Sequence, residues 1–177
     1  MGSEMCIRDR STTGQAGVAI VLTGHARRCL TGYLTVSDRI ILCRLDTKPV
    51  PLALIQVYAP TSSHSEEEIN MFYDQLQTTL GTVRSNEMAI IMGDFNAKVG
   101  CGADAECGIG EFGLGTRNSS GNILADFCKA NDLDLVNTFF NHHPRRRYTW
   151  ISPDETTRNQ IDFIAVPRNW RKSVLTL

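Results

Sequence analysis

The sequence lacks any hydrophobic run close to the ~20 residues that a membrane-spanning helix needs. It also lacks a strong charge of either sign, because 18 Lys and Arg stand against 19 Asp and Glu, for a net charge of −1. No global field therefore attracts nucleic acid, and any such binding must come from a local patch or a bound metal. We expect no membrane partner.

Several chemical motifs are also missing. None of the six cysteines forms a C-x-x-C pair, and no histidine stands beside them at zinc-like spacing. A chain of 177 residues with no secretory signal is not a small disulfide-dependent scaffold, so we expect mostly free thiols. The phosphate-loop pattern G-x-x-x-x-G-K-[ST] does not occur, and nucleoside triphosphate binding has no support.

The length and the 42% hydrophobic content are typical of one globular domain. Ser65 to Val83 is predicted to be a helix, because Ser65 and Glu68 have capping-box spacing and apolar residues follow at helical steps. A second helix is predicted to start at Ser119 or Ser120 and to end near Asn131. Short strands with tight connections precede the first helix and indicate an antiparallel arrangement.

The most informative stretch is Met88 to Asn96, with the sequence M-A-I-I-M-G-D-F-N. Its continuous apolar run suits a strand that is buried on both faces. If the chain stays extended after Gly93, Asp94 and Asn96 project on the same side. A glycine-rich loop from Ala97 to Arg117 follows, and such loops often carry binding function.

A carboxylate beside a neutral amide suits the hydrolysis of a phosphate ester. Asp94 could take a proton from a water molecule, and Asn96 could donate a hydrogen bond to the phosphate without adding negative charge. A hard divalent metal such as Mg²⁺ prefers oxygen ligands and would complete the site. The alternative is an Asx turn at the end of the strand, in which both residues are purely structural.

Five motifs in a fixed order give the sequence a strong resemblance to a known family. They are Gly17-Val18-Ala19-Ile20, Val57-Tyr58-Ala59-Pro60-Thr61, Gly93-Asp94-Phe95-Asn96-Ala97, Tyr148-Thr149-Trp150 and Gln160-Ile161-Asp162-Phe163-Ile164. The chain resembles the endonuclease/exonuclease/phosphatase superfamily of deoxyribonuclease I over roughly residues 14 to 177. Within it, the endonuclease domains of non-long-terminal-repeat retrotransposons and the craniofacial development protein 2-like proteins are most similar. The resemblance implies an α/β (α+β) fold, a two-sheet, mostly antiparallel β-sandwich flanked by helices in four layers.

The resemblance also implies catalytic roles for individual residues. The residue matching Asp94 handles the attacking water, and the residue matching Asn96 helps to hold that water and the phosphate. Tyr58 stands where a tyrosine contacts the scissile phosphate, although a buried structural tyrosine beside Pro60 is the alternative. Asp162 matches an acid that orients an active-site histidine.

The resemblance further implies a magnesium cofactor, with Mn²⁺ as the alternative, and a DNA substrate. Asp94 and Asn96 would supply a partial metal site. Trp150 would border the DNA-facing surface, with core packing as the alternative. Arg145 and Arg146 could contact a phosphate backbone, or they could lie in a solvated loop.

The sequence departs from the family pattern at both ends. Family members carry an asparagine and a metal-binding glutamate before the segment at Gly17, and a Ser-Asp-His motif after the strand of Asp162. Both are absent here, so we expect a domain at residues 11–177 that is truncated at both ends, binds metal weakly and is inactive. Residues 1–10 match no family motif; Glu4 to Arg10 correspond to DNA that resembles a sequencing-library adaptor. We expect this decapeptide to be a non-native scar, or otherwise a disordered tail.

The sequence and its resemblance thus predict a fragment of a metal-dependent phosphodiester hydrolase, namely a retrotransposon-derived DNA endonuclease whose parent carries a fused reverse transcriptase. A phosphatase or phosphodiesterase of the same superfamily, or a non-catalytic domesticated remnant, are the alternatives. The sequence does not fix the localisation, but it is compatible with an intracellular one that includes the nucleus.

Overall fold

The computed structural model describes residues 5–10 and 17–174. The chain forms two compact units. The first draws on residues up to Pro60 and on His64–Met92, and the second on Thr61–Ser63 and on residues from Gly93 onward. Within the described ranges, no helix combines the length and the apolar character that a membrane span requires.

The first unit is rich in antiparallel strands. Its elements are β1 Met5–Arg10, β2 Gly17–Leu22, α1 Gly24–Arg28, β3 Leu30–Ser37, β4 Ile40–Leu45, β5 Leu52–Tyr58, α2 Glu66–Gly81 and most of β6 Met88–Asp94. β1 pairs with β2, while β3, β4, β5 and β6 are neighbours in that order. The β1–β2, β3–β4 and β4–β5 pairs are antiparallel.

The two sheets of this unit pack face to face through alternating apolar residues. Along β2, every second side chain is buried, beginning at Val18. These side chains meet the buried residues of β4, and the shared cluster consists of Ile7, Val18, Ile20, Leu22, Ile41, Cys43 and Leu45. Strand alternation therefore places one face of each sheet in a common core.

Helix α2 begins as its sequence predicts. The hydroxyl of Ser65 accepts a hydrogen bond from the Glu68 N–H, and the Glu68 carboxylate accepts one from the Ser65 N–H at 3.0 Å. This reciprocal capping box satisfies N–H groups that the first helical turn leaves without partners. The buried face of α2 carries Phe72, Leu76 and Thr79.

The segment Met5–Arg10, which the sequence suggests is either a library scar or a disordered tail, is a strand in the structure. It pairs with β2 from Met5–Leu22 to Arg10–Gly17, and Ile7 is buried in the core. This pairing describes the segment's conformation and not its origin, so its identification as a scar stays a prediction.

The second unit combines short strands, helix α3 and long loops. Its elements are α3 Ser119–Ala130, β7 Leu133–Leu135, β8 Trp150–Ile151, β9 Arg158–Asn159, β10 Asp162–Pro167 and the 3-10 helices Val136–Thr138, Pro144–Arg146 and Arg168–Ser173. β10 pairs antiparallel with β7, and β8 with β9. The side chain of Asn118 caps α3 by accepting from the Gly121 N–H at 2.8 Å.

Candidate active site

The carboxyl end of β6 is a sharp change of backbone direction. Gly93 has a φ of 142°, a conformation that L-residues with a side chain rarely adopt, and the strand ends at Asp94. Asn96 has a φ of 47°, which Asn tolerates better than most residues. Its N–H donates to Asp94 Oδ1 at 2.8 Å. The chain therefore does not stay extended as the alternation argument assumed, and an Asx turn brings Asp94 and Asn96 together.

Phe95 anchors this turn to β10. Its side chain is buried and its ring lies 6.3 Å from the ring of Phe163. Its N–H donates to the Ile161 carbonyl at 2.9 Å. Because Ile161 immediately precedes Asp162, this contact brings the start of β10 beside Asp94.

Backbone hydrogen bonds to two side chains fix Asp162 in place. The Thr149 hydroxyl accepts from the N–H groups of Ile161 and Asp162, both at 3.2 Å. The Asn137 amide donates to the Asp162 carbonyl at 3.0 Å and accepts from the Ile164 N–H at 3.2 Å. Hydrogen bonds to the side chains of Thr149 and Asn137 thus hold the start of β10, where Asp162 lies.

Burial and a neighbouring acid make Asp94 electrostatically unusual. Loss of solvent raises the pKa of Asp94, the Asn96 N–H opposes that rise, and the negative charge of Asp162 adds to it. Within residues 5–10 and 17–174, neither carboxylate forms an ion pair. A carboxyl group with a raised pKa is suited to proton transfer.

A cavity of about 360 Å³ opens beside Asn96. Its lining mixes polar and apolar residues, and it consists of Thr61, Asn96, Lys98, Asn118, Trp150, Asn159 and Ile161. Trp150 is 39% exposed and forms part of this wall. Trp150 therefore does not lie in the buried core, and its place at a DNA-facing surface stays a prediction.

The part of the chain that holds these residues matches a known family. A model of the family described as endonuclease-reverse transcriptase matches residues 52–175, a span that includes Asp94, Asn96, Trp150 and Asp162. The chain belongs to this family. The predicted resemblance is confirmed.

The chain is also similar to two mammalian proteins. It is 43% identical over 159 residues to craniofacial development protein 2 of Bos taurus and 42% identical over 159 residues to that of Tragulus javanicus. Each alignment covers 89% of this chain but only 26% and 27% of the respective relative. The chain thus spans about a quarter of the length of these relatives.

Several solved structures share the fold of this chain, although their sequences are no more than 14% identical to it. They include the endonuclease domain of TRAS1, a telomere-specific non-LTR retrotransposon (TM-score 0.63, 14% identity), whose comparison covers 94% of this chain and 66% of that one. An AP endonuclease from Leishmania major has a TM-score of 0.67 at 10% identity, with 96% and 63% coverage. The predicted fold class, mixed α/β with mostly antiparallel strands, is confirmed.

The other predicted site residues are Tyr58, Arg145 and Arg146. Tyr58, at the end of β5, belongs to the first unit, where the guanidinium of Arg39 lies 5.4 Å from the centre of its ring. Arg145 and Arg146 are exposed on the 3-10 helix Pro144–Arg146 and do not line the cavity. The catalytic role of Tyr58 and the nucleic-acid role of the two arginines stay predictions.

The metal prediction has partial support from the donor atoms. Asp94, Asn96 and Asp162 offer the oxygen ligands that Mg²⁺ prefers. Among the described residues, however, no group of three or more acidic, histidine or cysteine side chains could hold a metal ion. The described residues alone therefore do not complete a metal site.

Sequence reasoning missed several residues of the cavity wall. Lys98, Asn118 and Asn159 line it beside Asn96. The burial pattern from Asp94 to Val99 alternates, with Phe95, Ala97 and Val99 buried and the residues between them half-buried. That alternation, extended from Asp94 and Asn96 by two residues, would have pointed to Lys98.

Proposed function

We propose that this chain contains the catalytic centre of a metal-dependent phosphodiester hydrolase that cuts DNA. The observation that carries the proposal is the Asp94–Asp162 pair, two carboxyl groups without a cationic partner among the described residues, beside Asn96 and a cavity. Two neighbouring carboxyl groups without a cation destabilise the folded protein, and groups with pKa values perturbed in this way cluster at functional sites.

Asp94 is the proton acceptor in this mechanism. Its raised pKa makes it a stronger base than an ordinary aspartate, which favours removal of a proton from a water molecule. The water oxygen then forms a bond to phosphorus while the bond from phosphorus to the leaving sugar oxygen breaks. The Asn96 amide donates to a phosphate oxygen, and the Asx turn keeps it beside Asp94.

Similarity to nucleases supports DNA as the substrate. The family description names endonuclease and reverse transcriptase, and one similar structure is the endonuclease domain of a retrotransposon. We therefore propose a retrotransposon origin and a parent protein with a fused reverse transcriptase. Trp150 would contact a base or sugar, while Arg145 and Arg146 would contact phosphates in a salt-dependent manner.

A divalent metal, Mg²⁺ or Mn²⁺, would screen the charge of the phosphate. Asp94 and Asn96 are the residues that would contribute to its site. Because the described residues lack a group of three suitable ligands, we propose that this chain binds metal weakly and has little activity alone. The same observation favours the second candidate function, a non-catalytic domesticated remnant.

The deciding experiment measures the nicking of supercoiled plasmid by the protein translated from the full parental coding region, with Mg²⁺. We expect nicking, and we expect Asp94→Asn to reduce its rate by about 10³-fold, the contribution typical of a positioned base. Asp126→Asn makes the same change of charge on an exposed position of α3 and should leave the rate unchanged.

Phosphate release from inositol phosphates, and phosphocholine release from sphingomyelin, are measured in parallel with the same variants. Asp94-dependent turnover of these substrates without nicking would identify a phosphatase or phosphodiesterase instead. No Asp94-dependent turnover of any substrate would contradict the enzymatic proposal and favour the remnant.

A further inference from the structure

The cavity beside Asn96 has an unusual balance of charge. Among the residues that line it, the structure describes no acid and a single cation, Lys98. Three amide side chains, one hydroxyl and the indole of Trp150 make up most of the remaining wall. Amide and hydroxyl groups donate hydrogen bonds to anionic oxygens, so this wall suits a ligand that is both negatively charged and partly flat.

Lys98 is held by the structure at its backbone. Its N–H donates to Asn118 Oδ1 at 3.0 Å, and its carbonyl accepts from the Asn118 N–H at 3.1 Å. A Cβ at Gly121 would lie 1.9 Å from the Lys98 carbonyl oxygen, so only glycine permits helix α3 to approach this closely. Two reciprocal hydrogen bonds and a glycine contact thus fix the point from which the side chain extends.

The ammonium group of Lys98 has no partner among the described residues. No hydrogen bond or ion pair of Nζ occurs there, although the side chain is half-buried. Lys129 provides the contrast, because its Nζ lies 2.8 Å from Glu106 Oε2 in an exposed ion pair. An unpaired ammonium group in the wall of a cavity is available to a ligand that supplies a negative charge.

We propose that Lys98 binds a phosphate group of the substrate strand that flanks the phosphate under attack. Asn96 stands beside Asp94 at the reacting end, and two residues of chain reach at most ~7 Å, so Lys98 lies near this end but is not part of it. This inference rests on the proposed function for the identity of the strand. It assigns Lys98 to binding, not to chemistry.

The test uses this chain and two probes, thymidine 3′,5′-bisphosphate and a short single-stranded oligonucleotide. Binding is followed by fluorescence of Trp150 in a Trp170→Phe background. We expect Lys98→Gln to weaken both probes by about 5- to 10-fold at low salt and to lower the salt slope for the oligonucleotide by about 0.7, the loss of one phosphate contact. Lys98→Arg should retain binding within about threefold, because guanidinium also pairs with phosphate.

Lys129→Gln is the matched control, since it removes a lysine charge from the same unit but outside the cavity. Urea unfolding checks that each variant is folded, and Lys98→Met provides a second neutral variant. In the nicking assay with the full parental protein, Lys98→Gln should raise KM and leave kcat within about twofold, as expected for uniform binding.

The outcomes separate this inference from the proposed function. Equal affinities and salt slopes for Lys98→Gln and Lys129→Gln, or no binding of either probe by the unsubstituted chain, would overturn the role of Lys98. A loss of kcat alone would also overturn it, since Lys98 would then act at the reacting phosphate. Lys98-dependent binding of the bisphosphate without any binding or nicking of DNA would leave the phosphate site intact and refute the nuclease proposal.

Discussion

The second unit holds two buried or half-buried aspartates, Asp134 and Asp94, whose charged neighbours have opposite signs. Asp134, on β7, is fully buried, and two arginines face it: Arg168 Nε lies 3.2 Å from Oδ1 and Arg171 Nη1 lies 3.1 Å from Oδ2. Asp94 is only half-buried, yet its charged neighbour is another acid, Asp162. The deeper carboxylate is neutralised, and the shallower one is left with a second negative charge.

This difference shows which centre serves the fold. A buried charge costs several kcal/mol unless it is paired, so the two arginines are what allows Asp134 to exist in the core. The guanidinium group of Arg171 also lies 4.7 Å from the centre of the Phe139 ring, and Arg168 Nη2 donates to the Glu106 carbonyl at 3.2 Å. Asp94 has no such compensation among the described residues, which is consistent with a site that is completed by a ligand.

Removing the cations from the compensated centre should have the largest effect on stability. We expect Arg168→Ala combined with Arg171→Ala to lower the free energy of unfolding by about 2–4 kcal/mol, because Asp134 would remain buried without a partner. The loss is limited because the two arginines are partly exposed and solvent already screens their charges. Urea unfolding followed by circular dichroism measures the change.

Lys129→Ala is the control for that variant, because it breaks the exposed Lys129–Glu106 pair, which solvent screens, and should leave the free energy of unfolding nearly unchanged. If both variants lose the same small amount, the Asp134 centre does not depend on its arginines, and the contrast between the two acidic centres fails.

Replacing Asp94 by asparagine should have a smaller effect of opposite sign. The raised pKa of Asp94 means that folding favours its protonated form, so this group supports stability below its ordinary pKa of 3.8 and loses that support as the pH rises through the folded-state pKa. Asp94→Asn removes the ionisation and keeps an Oδ1 that can accept from the Asn96 N–H. At neutral pH we expect the melting temperature of the variant to be a few degrees higher than that of the parent.

The gap between variant and parent should close as the pH falls towards 3.8, and thermal melts across that interval measure it. Asp126→Asn, on the exposed face of α3, should show no such pH-dependent gap. An Asp94→Asn protein that is less stable than its parent at neutral pH would mean that Asp94 is structural, as Asp134 is.

Local patterns in the sequence predicted the elements better than the site. The capping box of α2 and the apolar face of α3 depend on residues within one or two helical turns, and both helices form close to the predicted bounds. The pairing of Asp94 with Asn96 was predicted for a different geometric reason. Strand alternation suggested it, whereas the structure achieves it by an Asx turn with a positive φ at Asn96.

The rest of the site depends on contacts that are distant in sequence. The approach of Asp162 to Asp94 follows from the Phe95–Ile161 hydrogen bond, which no periodicity reveals. Lys98 is positioned by Asn118, twenty residues further along, at the end of a glycine-rich loop. The family resemblance predicted Asp162, and local alternation points to Lys98, but no local pattern indicated that Asn118 would share a cavity with Asn96.

The smallest expected effect is that of magnesium. A bound Mg²⁺ would supply positive charge beside Asp94 and Asp162, as the two arginines do beside Asp134. Two carboxylates and an amide are few ligands for a cation that demands six oxygens in near-octahedral geometry. We therefore expect a dissociation constant of about 10 mM or weaker, which at about 10 mM Mg²⁺ stabilises the fold by no more than ~0.4 kcal/mol. The melting temperatures in MgCl₂ and in NaCl of the same ionic strength should then differ by less than about 2 °C.

An increase in melting temperature of more than about 5 °C that disappears in Asp94→Asn would require a sub-millimolar site. In that case the uncompensated pair would be a metal centre in its own right, and the proposed low activity of this chain would lose its physical basis.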